Sequence, residues 1–135
     1  MTDRFEELLQ ELGRIFQLPL HVDKIGACSI MIPPHPAIQL QLDETQEHLL
    51  LFSKIVEIVP GKFRENVLCD ALKANALTDP RPGILGYIGK SNELALYQKY
   101  RASFLNGERL ASYIGLFLEM ALAWKVAIEH GNTAP

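Results

Sequence analysis

Apolar residues recur every three to four positions at the start of the chain, and this spacing predicts an amphipathic helix over residues 3–17. Asp3 and Glu6 have the spacing of a capping box, in which side chains satisfy the unpaired amides at a helix start. Pro19 ends the helix, because the residue before a proline is pushed out of helical geometry. The apolar stripe consists of Phe5, Leu8, Leu9, Leu12, Ile15 and Phe16.

From about residue 27 the apolar residues alternate with others, which is the period of a β-strand. Residues 27–32 and 37–42 are predicted strands, separated by the turn 33–36 with the sequence Pro-Pro-His-Pro. The polar stretch 43–47 predicts a loop, and residues 48–59 are rich enough in Leu, Ile and Val to form a longer strand. Three successive strands with short connections predict an antiparallel meander.

A Pro-Gly pair then breaks the strand pattern, and residues 63–75 return to the apolar period of a helix. Residues 78–83 predict a loop, because they are rich in proline, glycine and polar residues. Residues 84–88 and 93–100 predict two strands joined as a hairpin.

The last predicted helix is apolar on nearly every side. Asn106 can cap its start and Gly131 its end, so that it spans roughly 35 Å. A helix of this kind must be covered from two sides. Either it is a central helix inside its own domain, or a second chain supplies the other cover. One face carries Leu110, Tyr113, Ile114, Phe117, Ala121, Trp124 and Ile128, and the opposite face carries Leu116, Leu118, Met120, Leu122 and Val126.

The predicted order of elements is α-β-β-β-α-β-β-α. It indicates an α+β fold with one twisted antiparallel five-stranded sheet and three helices. A length of 135 residues predicts a single domain, residues 1–135.

Charge and hydropathy narrow the class of partner. The net charge is −3 and no basic stripe is present, which argues against nucleic acid as the main partner. No apolar run approaches the roughly 20 residues of a membrane span. The acidic, amphipathic N-terminus lacks a signal-peptide core. We therefore expect a cytoplasmic protein.

The sequence lacks the common catalytic and nucleotide-binding motifs. Gly83, Gly86 and Gly89 straddle a predicted strand and do not open a helix, as a dinucleotide fingerprint would require. Cys28 and Cys69 are predicted to be reduced thiols. A metal site needs three or four convergent ligands, and the histidines lie on different elements or loops: His21, His35, His48 and His130. We expect no catalytic residue, no cofactor and no metal.

Five local patterns, taken in order, resemble the class I type III secretion chaperones, the CesT/Tir-type family. Residues 5–20 read F-x-x-L-L-x-x-L-G-x-x-F-x-L-P-L, like the opening helix of that family. Residues 23–32 resemble its first strand, and residues 68–75, L-C-D-A-L-K-A-N, resemble the end of its second helix. Residues 83–89 are similar to its glycine-bearing fourth strand, and residues 117–128 to its apolar closing helix. Residues 33–36 depart from the family pattern and stiffen the first hairpin.

The resemblance implies a small cytosolic bacterial protein that is a homodimer, or a heterodimer with a related chaperone. It implies binding of the N-terminal segment of a secreted protein, which is kept extended for export without nucleotide hydrolysis. The family's dimer contact, carried onto this chain, points to Phe63, Val67, Leu68, Leu72, Ile84, Leu85 and Tyr87. Its client-binding grooves, formed by the first helix with the sheet and supplemented by strand addition, point to Leu8, Leu12, Phe16, Ile30, Ile32, Ile38 and Leu40. For each of these residues the alternative is plain core packing.

Two other functions fit parts of the pattern. A regulatory adaptor of the same fold would bind a folded partner, such as a component of the secretion gate or of transcription, and would ignore an isolated extended segment. An α+β enzyme or small-molecule binder would need polar residues that converge in an apolar cavity. Such a set cannot be assembled from this sequence.

Overall fold

The computed structural model describes residues 4–77 and 81–135. These residues form three α-helices, five β-strands and a short 3₁₀ turn at Ala102–Phe104, which confirms the predicted fold class. The helices and strands, in chain order, are α1 (Arg4–Phe16), β1 (Ala27–Ile30), β2 (Ile38–Leu42), β3 (His48–Glu57), α2 (Lys62–Asn75), β4 (Ile84–Ile88), β5 (Glu93–Arg101) and α3 (Gly107–Glu129).

The five strands form one antiparallel sheet in the order β1-β2-β3-β5-β4. The first three strands are the predicted meander, and β4 and β5 are the predicted hairpin. Helix α2 connects β3 to β4. The hairpin is placed so that β5 pairs with β3 and β4 lies at the edge of the sheet. The two edge strands are therefore β1 and β4.

One face of the sheet carries the core. Alternate strand residues on this face are buried against α1 and α3, while α2 packs against β4. The hydroxyl of Ser53 is buried on this face and donates a hydrogen bond to the carbonyl of Ala37 at 2.8 Å. The buried strand residues include Cys28, Ile30, Ile38, Leu40, Leu49, Leu51, Leu85, Leu94 and Leu96.

The last helix is a central helix of its own fold. Six of the seven residues on its first apolar face are buried and Tyr113 is half-buried, stacked on Tyr100 with ring centroids 4.4 Å apart. On the opposite face Leu118 is buried as well, whereas Leu116 and Val126 remain exposed. By length and composition α3 is the one helix in the described chain that could cross a membrane. A buried core helix can have the same length and the same apolar composition.

Some boundaries differ from the predicted ones. The first strand ends at Ile30 because the chain then turns, and the amide of His35 donates to the carbonyl of Ile32 at 3.0 Å. The third strand ends at Glu57 rather than at residue 59. The predicted cap Asp3 and residues 78–80 of the predicted loop lie outside the described residues. The side chain of Asn106 caps α3 as predicted, accepting from the amide of Arg109 at 2.8 Å.

Helices α1 and α3 approach each other closely at Gly107. The amide of Gly107 donates to Glu11 Oε2 at 2.5 Å, and a Cβ added at Gly107 would lie 2.4 Å from the Cβ of Glu11. The Cβ of Glu11 is fixed to the α1 backbone, so Gly107→Ala must push the two helices apart. We expect this substitution to lower the free energy of unfolding by about 1–3 kcal/mol.

Gly115 provides the matched control for this prediction, since nothing lies within 4 Å of a Cβ added there. Alanine is the better helix former, so Gly115→Ala is expected to raise the free energy of unfolding by about 0.5–1 kcal/mol. Urea denaturation of the two variants measures both effects. Effects of the same sign would contradict the close approach at Gly107.

Candidate partner-binding surfaces

An apolar pocket of about 210 Å³ lies between α2 and β4, and we call it the α2–β4 pocket. On the inner side of α2, Val67 and Ala71 are buried in the core, whereas Leu72 on the outer side is 68% exposed. A large aliphatic side chain at this level of exposure, beside an apolar pocket, is typical of an interaction surface. The pocket is lined by Leu68, Ala71, Leu72, Asn75, Leu85, Gly86, Tyr87 and Leu94.

Polar contacts hold the walls of this pocket together. The hydroxyl of Tyr87 donates to Asn92 Oδ1 at 2.7 Å, and the guanidinium of Arg64 donates to the Tyr87 hydroxyl at 2.9 Å. The same guanidinium lies 5.3 Å from the centroid of the Tyr87 ring, within the range of a cation–π contact. These contacts tie α2 to the hairpin of β4 and β5.

The residues predicted for the dimer contact occupy three environments. Leu68, Leu72, Leu85 and Tyr87 line the α2–β4 pocket. Phe63 is exposed on another side of α2, Val67 belongs to the core, and Ile84 is half-buried on the opposite face of the sheet. The structure therefore brings four of the predicted residues together at one pocket. Their role in a dimer stays a prediction.

The residues predicted for client binding lie mostly in the core. Leu8, Leu12, Ile30, Ile38 and Leu40 are at most 2% exposed, and Phe16 and Ile32 are half-buried. The five buried side chains thus have the core packing that was the alternative for each, and in this structure a partner cannot contact them. The exposed apolar residues near α1 and β1 are others: Ile15, Val22, Ile25 and Met31.

Two clefts beside α1 hold some of these exposed residues, and we call them the α1 clefts. One, of about 310 Å³, lies between α1 and residues 20–22; the other, of about 240 Å³, lies between residues 22–26 and the end of β2. Val22 lines both clefts, and Ile25 lines the second. The sequence analysis predicted no binding residue within residues 20–26. The apolar residues Leu20, Val22 and Ile25, in a segment with no helical or strand period, were the available signal.

The edge of β1 is partly open. The amide of Ala27 donates to Asp23 Oδ1 at 2.9 Å, and its carbonyl accepts from the Asp23 amide at 2.8 Å. Ala27 therefore directs its backbone groups away from β2. Because these directions alternate along an antiparallel strand, Ser29 directs its amide and carbonyl the same way, and Ser29 is exposed.

The face of the sheet away from the core carries a second apolar surface. Phe52, Tyr97 and Ile84 are aligned across β3, β5 and β4, and Tyr97 is 46% exposed. Two exposed lysines flank this row on the same face of the sheet: Lys54 lies two residues beyond Phe52 on β3, and Lys99 lies two residues beyond Tyr97 on β5. The sequence analysis missed Phe52 and Tyr97. The consecutive apolar residues at positions 49–52, which cannot all face one side of a strand, were the available signal.

His35 links the turn after β1 to α3. Its Nδ1 lies 2.9 Å from the carbonyl of Ile32 and its Nε2 lies 2.9 Å from Glu119 Oε1. Both partners are acceptors, so only the doubly protonated imidazolium satisfies both. The hydrogen bond to Glu119 accordingly raises the pKa of His35 above its usual 6.5, against the opposing effect of burial.

This pKa shift predicts a pH-dependent stability. Because the folded-state pKa is raised, the stabilisation is fully present below the unfolded pKa and is lost as the pH rises through the folded pKa. Glu119 is exposed, so the contribution is below about 1 kcal/mol. In urea denaturation at pH 5.5 the free energy of unfolding of wild type should exceed that of Glu119→Gln by less than about 1 kcal/mol, and the difference should vanish as the pH rises through the folded-state pKa. Glu129→Gln, an exposed change on the same helix, is the control. A gap that does not change with pH would contradict the link.

The described residues provide little for catalysis. No group of three or more His, Cys, Asp or Glu side chains among them could hold a metal ion. Burial raises the pKa of the Cys28 thiol, which disfavours the thiolate that a nucleophile needs. The sites that the structure does form are apolar surfaces and a strand edge, and these define a protein-binding module.

The family follows from the sequence. The profile of the Tir chaperone protein (CesT) family matches residues 7–125, so the chain belongs to this family. The predicted resemblance to class I type III secretion chaperones is thereby confirmed. Comparison with curated protein sequences gave no match.

Solved structures show the same fold. A chain of the HopA1–SchA chaperone–effector complex is 25% identical with a TM-score of 0.72, over 94% of this chain and 100% of that one. A chain of the ExoT–SpcS complex from Pseudomonas aeruginosa is 21% identical with a TM-score of 0.66, over 90% and 97%. A chain of the Yersinia pestis type III secretion chaperone SycH in complex with a fragment of YscM2 is 17% identical with a TM-score of 0.69, over 85% and 94%.

Proposed function

We propose that this protein is a cytoplasmic chaperone that binds the N-terminal chaperone-binding segment of one or more type III secreted proteins. It keeps that segment extended and ready for export, hydrolyses no nucleotide and has no enzymatic activity. Membership of the CesT family supports the chaperone role. The similarity to a chain of a chaperone–effector complex supports an effector as the partner.

The observation that carries the proposal is the combination of an open strand edge with exposed apolar residues beside it. By the alternation from Ala27, Ser29 directs an amide and a carbonyl outward from β1, and Met31, two residues further on, is 58% exposed. An extended client can add a strand through main-chain hydrogen bonds and place alternate side chains in neighbouring apolar clefts. The α1 clefts provide such places for its side chains.

The α2–β4 pocket supports a second part of the proposal, that two copies of this chain associate there. Leu72 and the half-buried Leu68 form an apolar rim that a matching rim of a second copy would cover. In a two-fold dimer the same patch serves both partners. A related chaperone with a similar rim would form a heterodimer in the same way.

Isothermal titration tests the client role. The partner is the isolated N-terminal segment of a secreted protein encoded beside this one, and the control is the same segment with its alternate apolar residues replaced by serine. A segment that orders on binding should bury roughly 1,000–3,000 Å² and give a large negative heat-capacity change. A heat-capacity change near zero would overturn the proposal. Retention of a folded partner without binding of the isolated segment would favour the adaptor.

A further inference from the structure

The edge of β4 is occupied by a side chain from α2. The side-chain nitrogen Nδ2 of Asn75 donates to the carbonyl of Leu85 at 2.8 Å, and the amide of Leu85 donates to Asn75 Oδ1 at 2.9 Å. A carboxamide has the same donor and acceptor as a peptide group. Asn75 therefore makes with Leu85 the pair of hydrogen bonds that a residue of a neighbouring strand would make.

These two bonds lie on the open side of β4. Among the described strands β4 pairs with β5 alone, and an antiparallel residue directs its amide and its carbonyl to one side. Both groups of Leu85 are taken by Asn75, so they point away from β5. The end of α2 is held in place, since the Arg81 guanidinium donates to the Asn75 carbonyl and Gln98 Nε2 donates to the Arg81 carbonyl at 2.9 Å.

The position of the contact decides what the edge can do. A partner strand needs consecutive outward-facing residues to build a ladder. Strand β4 runs from Ile84 to Ile88, so its outward-facing residues are Leu85 and Tyr87, and with Leu85 occupied Tyr87 has no outward-facing neighbour within the strand. On β1 the occupied residue, Ala27, is the first of the strand, and Ser29 is the outward-facing residue that follows it.

We propose that Asn75 closes the β4 edge to main-chain pairing by any other chain, so that a partner reaches the α2–β4 pocket through side chains alone. Asn75 is thus a specificity-determining residue, because it leaves the α2–β4 pocket as a surface for side-chain docking. The closure of the β4 edge by Asn75 is argued from the fold alone. The further idea, that this closure keeps the binding of a second copy apart from the binding of a client, rests on the proposed function.

Amide hydrogen exchange on the full-length protein tests the closure. In Asn75→Ala the Leu85 amide loses its acceptor and should exchange at least about tenfold faster. The amides of Ile84 and Gly86 bond toward β5 by the same alternation and should keep their protection. Asn66→Ala, at an exposed asparagine of the same helix, is the matched control and should leave all three unchanged.

Sedimentation velocity supplies the second measurement. With the edge open, Asn75→Ala should form species larger than any in wild type at equal concentration, since a free edge is a template for further copies. Unchanged exchange at Leu85, equal acceleration at Ile84 and Gly86, or an unchanged size distribution would each overturn the proposal. The exchange experiment needs no client, so a failed client titration would refute the proposed function and leave this result standing.

Discussion

Leu72→Glu is expected to weaken self-association of the protein by about a hundredfold or more. Leu72 is exposed at the rim of the α2–β4 pocket, and the proposed dimer would bury it against the same rim of the second copy. A carboxylate placed there would be desolvated without a partner, at a cost of several kcal/mol. In a two-fold interface the substitution acts twice. Sedimentation velocity over a concentration series measures the change.

The control for this prediction has the same change of charge on the same helix. Asn66 is exposed and does not line the α2–β4 pocket, so Asn66→Glu should leave the dissociation constant within about twofold. Circular dichroism of both variants verifies that the fold is retained. If Leu72→Glu sedimented as wild type does, the second copy would have to associate elsewhere, and the exposed residues Leu116 and Val126 of α3 would be the next surface to test.

The elements of this fold could be predicted because each carries its own period. The stripe of α1 and the alternation of β2 depend on residues a few positions apart, which the sequence displays directly. The order of the strands could not be obtained in the same way. Placement of β4 beyond β5 depends on where α2 packs, and that contact joins residues distant in the sequence.

The surfaces were harder to predict than the elements. Periodicity identifies an apolar face, and it does not tell whether the protein itself or a partner covers that face. Leu12 and Leu72 are both apolar helix residues, yet one is fully buried and the other is exposed. The edge contacts of Asp23 and Asn75 were also hidden, because a polar residue in a loop or at a helix end gives no sign of the strand it will meet.

Ser29→Pro is expected to weaken client binding by about tenfold or more. Proline has no amide, so the substitution removes a donor that β1 directs outward, and its ring occupies the space of the added strand. Because the Ala27 amide points away from β2, alternation directs the Ser29 amide the same way, so the hydrogen bonds between β1 and β2 do not use it. Proline is tolerated at a strand edge when its nitrogen faces solvent. The fold and the self-association should therefore be retained. Titration with the client segment measures the loss.

Ser29→Ala separates the role of the backbone from that of the side chain. It removes the hydroxyl and keeps the outward amide, so its affinity for the client should stay within about twofold of wild type. Equal losses in the two variants would show that the hydroxyl, not strand addition, binds the client. Wild-type affinity in Ser29→Pro would mean that the client lies in the α1 clefts or on the row of Phe52, Tyr97 and Ile84 without pairing with β1. If the client pairs with the main chain of β1, only Ser29→Pro should lose affinity for the client, because proline lacks the backbone amide that alanine keeps.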